Sequence, residues 1–154
     1  MGIRYRKASI EDMEILVRAR MKVLRSANGL SDDADLSEVE KRSYAYYQKA
    51  LREDLHTAYL ALDGEQVAGT GGVSYYCVMP TCHNPSGEKA YIMNVYTDPA
   101  YRRQGIAYEI LRLLVADAQE RGVQFISLEA TAMGRPLYEK FGFTAMRDEM
   151  WLER

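Results

Sequence analysis

Asn94-Val-Tyr-Thr-Asp-Pro-Ala-Tyr-Arg-Arg-Gln-Gly-Ile-Ala-Tyr-Glu-Ile110 is the stretch from which the rest of this chain is best read. It opens as the end of an apolar strand, Ala90 to Tyr96, which Asp98-Pro99 breaks. From Ile106 onward, Ile110, Leu111, Leu114 and Ala118 recur at helical spacing until Gly122, which marks an amphipathic helix. Between strand and helix lie Arg102, Arg103, Gln104 and Gly105, a cationic turn that feeds a helix N-terminus. The first turn of a helix has unpaired N–H groups and carries about half a positive charge, so phosphate is stabilised there. Gly105 lets the backbone approach a ligand with no Cβ in the way, and Ala107 is nearly as small. The stretch therefore predicts a pyrophosphate ligand. It is not a nucleoside triphosphate loop, because the lysine followed by Ser or Thr that closes that motif is missing.

Upstream, Ile3 to Arg6 alternates like a short strand, and Ser9 with Asp12 three residues on signals a helix start. That helix carries Met13, Leu16, Val17, Met21 and Leu24 and stops at Asn28-Gly29. An acidic loop from Ser31 to Asp35 follows, and Ser37-Glu38-Val39-Glu40 reads as a second capping box, opening a helix to about Leu55. The period then becomes strand-like: Thr57 to Leu62, a turn at Asp63-Gly64, and Gln66 to Val78 predict an antiparallel hairpin. Gly69-Thr70-Gly71-Gly72 resembles a phosphate loop, but it lies inside a predicted strand with no helix after it. A bulge or close strand packing is the better reading. Downstream, Val123 to Ala130 predicts a strand, Gly134 to Phe141 a short helix closed by Gly142, and Phe143 to Leu152 a final strand.

This order predicts a mixed α and β fold over one domain, residues 1–154. The strand at 90–96, its following helix and the strand at 123–130 form a right-handed crossover with the two strands parallel. A chain of 154 residues buries about 70% of the surface it exposes unfolded, so it needs no disulfide or metal for stability. Its formal charge of −2 argues against a nucleic-acid partner. The longest uncharged run, Gln66 to Gly87, is too rich in glycine, proline and hydroxyl groups for a bilayer. The N-terminus lacks a signal-peptide pattern, so a cytoplasmic location is expected, with Cys77 and Cys82 as reduced thiols.

Arg102-x-x-Gly105-x-Ala107 resembles the Arg/Gln-x-x-Gly-x-Gly/Ala signature of the Gcn5-related N-acetyltransferase (GNAT) superfamily, which binds the pyrophosphate of acetyl-coenzyme A. Leu137-Tyr138-Glu139-Lys140-Phe141-Gly142-Phe143 is similar to that family's Leu-Tyr-Glu-Lys-x-Gly-Phe segment. Element order and spacing agree over residues 90–143, and the N-terminal half agrees in order alone. Where many members place Asn seven residues before the tyrosine, this chain has Thr131, so a contact made by an Asn amide is not carried over.

The resemblance implies a GNAT fold: a mixed sheet of six to seven strands, mostly antiparallel with a parallel pair at 90–96 and 123–130, flanked by four helices. It implies acetyl-coenzyme A as co-substrate and transfer of its acetyl group to a primary amine by direct attack in a ternary complex. A non-catalytic acyl-coenzyme A sensor or interaction module on the same fold is the alternative. Carried over by position, the Val95 N–H faces the thioester carbonyl, and the main chain of Val95, Tyr96 and Thr97 holds the pantetheine arm. Arg102, Arg103, Gln104, Gly105, Ile106 and Ala107 serve the phosphates, and Thr131 borders the cofactor.

Tyr138 takes the general-acid position: a phenol of pKa about 10 stays protonated at neutral pH and can donate to a thiolate leaving group. The base that relieves the ammonium of its proton is open among Glu129, Glu88 and Asp98, with Asn94 as a residue that positions water. The acceptor, a small-molecule or peptide amine, would meet the turn between the first two helices and the loop at 79–88. Asp32, Asp33 and Asp35 either steer a cationic amine or merely solvate their loop. Tyr44, Tyr47, Tyr75 and Tyr76 either line an aromatic cavity or fill the core. Cys77, Cys82 and His83 lack a second ligand pair, so no metal is expected. Family members are often dimers, and Trp151 is either an interface anchor of a homodimer or a core residue.

Overall fold

The structure, a computed structural model, describes residues 2–154. Its elements are β1 (Arg4–Lys7), α1 (Met13–Ala27), α2 (Ser37–Arg52), β2 (His56–Asp63), β3 (Gln66–Cys77), β4 (Glu88–Thr97), α3 (Ile106–Glu120), β5 (Phe125–Leu128) and α4 (Arg135–Phe141). Single 3₁₀ turns at Ile10–Asp12 and Pro99–Tyr101 complete the order. One sheet holds the strands in sequence order, antiparallel from β1 to β4 and parallel between β4 and β5. The mixed sheet with one parallel pair and four helices therefore stands as the sequence predicts.

The strand count differs: five strands lie among the described residues, not six to seven. The stretch Phe143 to Leu152, expected as a final strand, joins no ladder. Arg147-Asp148-Glu149 places three charges in a row where a strand needs alternation, and Met150, Trp151 and Leu152 are exposed by 83% or more. Trp151 is thus not a core residue. No helix among the described residues is long and apolar enough to cross a membrane.

Local chemistry sets the element starts. The Ser9 side chain caps the first 3₁₀ turn, and Asp12 returns the capping box by accepting the Ser9 N–H at 2.8 Å. Asp12 also takes two hydrogen bonds from Arg6, which fastens β1 to the head of α1. At α2 the expected Ser37 cap is absent: Leu36 is the N-cap, and the Asp35 carboxylate accepts the Ser37 N–H at 2.9 Å. The acids of the 31–35 loop thus work locally, since Asp33 accepts from the Ser31 hydroxyl.

One face of the sheet packs against α3, through Val73, Tyr75, Ala90, Ile92, Ile106, Ile110 and Leu114. The other packs against α1 and α2, through Leu16, Val17, Met21, Tyr47, Leu60 and Leu62. The glycines of β3 set the spacing of the first layer. A Cβ at Gly69 would lie 2.7 Å from Ile106 Cγ2, and one at Gly71 would lie 2.5 Å from Ile110 Cγ2. The Gly69–Gly72 run is close packing, not a phosphate loop. At the far end of α3, buried Asp117 accepts hydrogen bonds from Tyr75 (2.6 Å), Thr57 (2.8 Å), Lys7 (3.1 Å) and Arg121 (3.1 Å). Burial pushes the Asp117 carboxyl up, but the hydrogen bonds from Tyr75, Thr57 and Lys7 outweigh it and hold its pKa below the ordinary value.

On the opposite face, His56 Nδ1 lies 2.8 Å from the Tyr46 hydroxyl and 3.3 Å from Ser74 Oγ. Its Nε2 is buried without a partner and would touch any Cβ at Gly72. Burial and the positive Arg121 lower the His56 pKa from 6.5 to about 4, so the imidazole is neutral at pH 7.

Two outcomes are expected in urea unfolding. Gly71→Ala forces a methyl into the Ile110 contact and costs about 1–3 kcal/mol of stability, and an unchanged midpoint would refute the close approach. As pH falls from 6.5 toward about 4, the unfolded chain takes up a proton that the folded His56 refuses, so stability present above pH 6.5 declines. The decline amounts to roughly 3 kcal/mol once both values are passed, and its persistence in His56→Gln would assign it to other groups.

Candidate active site

β4 and β5 pair from Lys89↔Phe125 to Ile92↔Leu128 and no further. β4 continues to Thr97 while the chain leaves β5 at Leu128, so the main chain of residues 93–97 has no β5 neighbour. The edge of β4 is left open where β5 ends, and this opening at the carboxyl ends of the two strands is the cleft in which sheets of this kind bind ligands. The β3 side of β4 is irregular at the same level. Thr70 pairs with Tyr96 and Gly72 with Met93, so Asn94 and Val95 together oppose Gly71 in a β-bulge. Asn94 takes the left-handed conformation, φ 64°, and its Oδ1 accepts from Arg20 Nη1 of α1 at 3.1 Å. Val95 turns its side chain into the α3 core, leaving its main chain to the cleft.

The cationic turn stands at the mouth of that cleft. Asp98 caps the 3₁₀ turn by accepting the Ala100 N–H at 2.9 Å and pairs with Lys22 at 2.6 Å. Arg103 (φ 66°) and Gly105 (φ 77°) are both left-handed, and Gly105 is the N-cap of α3 with no side chain capping the helix. The first intrahelical bond runs from the Glu109 N–H to the Gly105 carbonyl, so the N–H groups of Ile106, Ala107 and Tyr108 precede the ladder. Arg102, Arg103 and Gln104 are exposed, and Glu109, the acid of the first turn, is neutralised by Arg112. Free amides, two arginines, a left-handed glycine and a neutralised acid fit a polyphosphate. Ile106 is buried against Gly69 and offers only its main chain, while Arg102 Nε lies 3.4 Å from the Thr97 carbonyl. The Thr97 hydroxyl is buried without a protein partner.

On the β5 side, Thr131 is exposed and its hydroxyl accepts the Gly134 N–H at 3.1 Å, so it closes the turn that leads into α4. A Cβ at Gly134 would lie 2.9 Å from the Tyr138 ring, so this glycine lets the ring lie against the turn. Tyr138 packs edge-on to Phe143, and burial raises its pKa. The phenol is therefore protonated at neutral pH, and its hydroxyl has no hydrogen-bond partner among the described residues.

The three base candidates and the water-positioning Asn94 separate by position. Asp98 is committed to Lys22, whose hydrogen bond holds its carboxyl below the ordinary range. Glu88 starts β4, six residues or about 20 Å of strand from Asn94. The Asn94 amide oxygen is occupied by Arg20. Glu129 follows β5 directly, is exposed, and with Tyr138 borders a cavity of about 670 Å³ between β5, α4 and residues 143–149. Val95, Thr97 and the 102–107 turn do not line that cavity; they lie on the open cleft.

The tyrosines divide likewise: Tyr47 and Tyr75 are buried in the cores, Tyr44 and Tyr76 are exposed. Cys77 and Cys82 are both free and exposed.

The acetyltransferase (GNAT) family model matches residues 24–143. The chain belongs to this family. A crystal structure of a predicted acetyltransferase with acetyl-CoA from Clostridium acetobutylicum superposes with a TM-score of 0.90 at 33% identity, covering 99% of this chain and 96% of that one. A GCN5-related N-acetyltransferase from Ralstonia eutropha JMP134 gives 0.86 at 26% identity over 99% of both chains. Among curated proteins, the uncharacterized N-acetyltransferase YsnE of Bacillus subtilis is 33% identical over 98 residues, 60% of this chain and 59% of that protein. The [ribosomal protein bS18]-alanine N-acetyltransferase of Escherichia coli is 36% identical over 59 residues, 36% of this chain and 40% of that enzyme. The matches thus span less than two thirds of either curated relative.

For a GNAT chain, Arg20 and Lys22 are the site neighbours that the sequence alone does not reveal. Both sit on α1, Arg20 reaching Asn94 of β4 and Lys22 reaching Asp98 just after β4, 74 and 76 positions away, and nothing local marks them. Asn94 carries one signal, since Asn tolerates the left-handed region better than most residues.

Gly105→Glu combines a side chain at φ 77° with a negative charge at the α3 N-terminus. Its dissociation constant for coenzyme A, read by calorimetry, is expected to rise by about tenfold or more, the equivalent of 1.4 kcal/mol, with the fold retained by circular dichroism. Unchanged affinity would move the phosphate site elsewhere.

Proposed function

We propose that this protein transfers the acetyl group of acetyl-coenzyme A to a primary amine by direct attack in a ternary complex. The observation that carries the reading is the placement of an uncapped, arginine-flanked helix N-terminus beside the stretch of β4 that β5 leaves unpaired. The first feature suits a pyrophosphate, and the second offers strand-like hydrogen bonds to an extended pantetheine arm. Val95, Tyr96 and Thr97 hold the arm through their main chain, and Arg102 to Ala107 hold the phosphates. Thr131, whose hydroxyl is spent on the α4 turn, borders the arm without a side-chain bond to it.

In the reaction the amine nitrogen forms a bond to the acetyl carbon as the bond from that carbon to sulfur breaks. The oxyanion that develops is met by the Val95 N–H. The ammonium proton passes to Glu129, directly or through water, because Glu129 alone of the three base candidates is both uncommitted and near Tyr138. Tyr138 donates its hydroxyl proton to the departing thiolate, and its raised pKa keeps that proton in place until sulfur becomes charged. The second proton of the acylated nitrogen leaves through water and restores the phenol, so that amide, free thiol and neutral Tyr138 result. Asn94 acts through the shape of the bulge.

Calorimetric titration with acetyl-coenzyme A, 3′-dephospho-coenzyme A and ADP tests the cofactor: binding that weakens sharply in ADP, which lacks the arm, supports the reading, and no binding to any of them sinks it. Thiol release is then followed with peptides bearing an N-terminal alanine, a lysine peptide and a polyamine. With whichever amine is acetylated, Tyr138→Phe is expected to lower kcat by roughly 10²-fold at unchanged affinity for acetyl-coenzyme A. Tight binding with no turnover on any amine would turn the assignment toward an acyl-coenzyme A sensor.

A further inference from the structure

We infer that Arg20, on α1, is a positioning residue that holds the β4 bulge in the conformation presenting the Val95 N–H to the thioester. The inference rests on the acetyl-transfer reading above and adds to it a residue from outside the cofactor segment. Three observations carry it. Asn94 is one of three non-glycine residues with positive φ among those described, and it sits inside a strand, where an extended conformation is the unstrained choice. The peptide that joins Asn94 to Val95 contains the Val95 N–H, so its direction follows the backbone torsions of Asn94. The Asn94 side chain, in turn, is tied by its Oδ1 to Arg20 Nη1 at 3.1 Å, the one hydrogen bond that links α1 to the bulge.

Arg20 has no competing partner, since it makes no salt bridge among the described residues, and it is half-buried beside the sheet face. A second tie from the same helix, Lys22 to Asp98 at 2.6 Å, fixes the far end of the bulged segment. α1 thus grips the chain on both sides of Val95, at Asn94 within β4 and at Asp98 just beyond its end, so the bulge is held against relaxation to a regular strand. Register loss there would rotate the 94–95 peptide, and the oxyanion would lose its donor while the pantetheine and phosphate contacts remained.

The test reads the carbonyl directly. Acetyl-coenzyme A labelled with carbon-13 at the thioester carbonyl is bound to the full chain, and its resonance is compared with that of the free compound. A hydrogen bond to the carbonyl polarises it and moves the resonance downfield. Wild type is expected to show that displacement, and Arg20→Met to lose it with an unchanged dissociation constant for acetyl-coenzyme A. A second series leaves Arg20 intact. Asn94→Asp, which keeps the acceptor, retains the displacement; Asn94→Gly, which takes positive φ without strain, retains part of it; Asn94→Ala, which has neither property, loses it. Melting temperatures confirm that each variant is folded.

A displaced carbonyl in wild type that stays equally displaced in Arg20→Met, or in Asn94→Ala should Arg20→Met not fold, overturns the role of Arg20 and leaves the acetyl-transfer reading intact. An undisplaced carbonyl in wild type removes Val95 as the donor, and the inference falls with it. Absence of acetyl-coenzyme A binding refutes the proposed function itself.

Discussion

The architecture turns on how closely α3 lies against β3. Gly69 and Gly71 present no side chain where Ile106 and Ile110 descend, and either glycine with a Cβ would meet those residues at 2.7 Å or less. The contact fixes more than a core. The electrostatic pull of a helix N-terminus fades within its first turn, so it serves a ligand only if that turn is at the right height. Ile106 is the first residue of α3 and the one that touches Gly69, so the packing contact and the free N-terminus of the helix share a residue. At the other end, Asp117 gathers Lys7, Thr57, Tyr75 and Arg121 from β1, β2, β3 and the end of α3 itself, and prevents the helix from sliding along the sheet. A buried carboxylate with that many donors is costly to leave unpaired, which makes the position of α3 unique as well as stable.

The second structural theme is incomplete pairing. β4 is long and β5 short, so five residues of β4 run beyond their last parallel partner. A strand with free main-chain groups ordinarily invites aggregation. Here β4 packs against α3, and the bulge breaks the regular ladder that another strand would follow. The same irregularity separates the roles of the two neighbours in the bulge: Val95 spends its side chain on the core, Asn94 spends its side chain on α1, and the peptide between them is left to the cleft. α1 therefore takes part in shaping the site although it contributes no residue to the cationic turn.

Much of this is legible in the residues. The order of elements, the Asp63-Gly64 hairpin, the parallel pair and the helix from Ile106 follow from turn chemistry and apolar period, which are local. The cationic turn before α3 is legible for the same reason: its properties come from consecutive residues. The final strand is not, because apolar content at Met146, Met150, Trp151 and Leu152 suggests a buried face, whereas these side chains are exposed and three adjacent charges break the alternation. The cap of α2 misleads in another way: Ser and Asp both suit an N-terminal cap, and Asp35 supplies the acceptor from two residues upstream of Ser37.

By itself the sequence determined the fold class, the cationic turn before α3 and the position of Tyr138, since each depends on residues within a few positions of one another. The tertiary structure decided which acids are free. Asp98 and Glu129 are alike as carboxylates in sequence, yet a lysine 76 residues away commits the first. It also decided the bulge, because the conformation of Asn94 is stabilised by an arginine 74 residues distant on another element. Coulombic and hydrogen-bond energies depend on distance in space, and only packing converts separation along the chain into separation in ångströms.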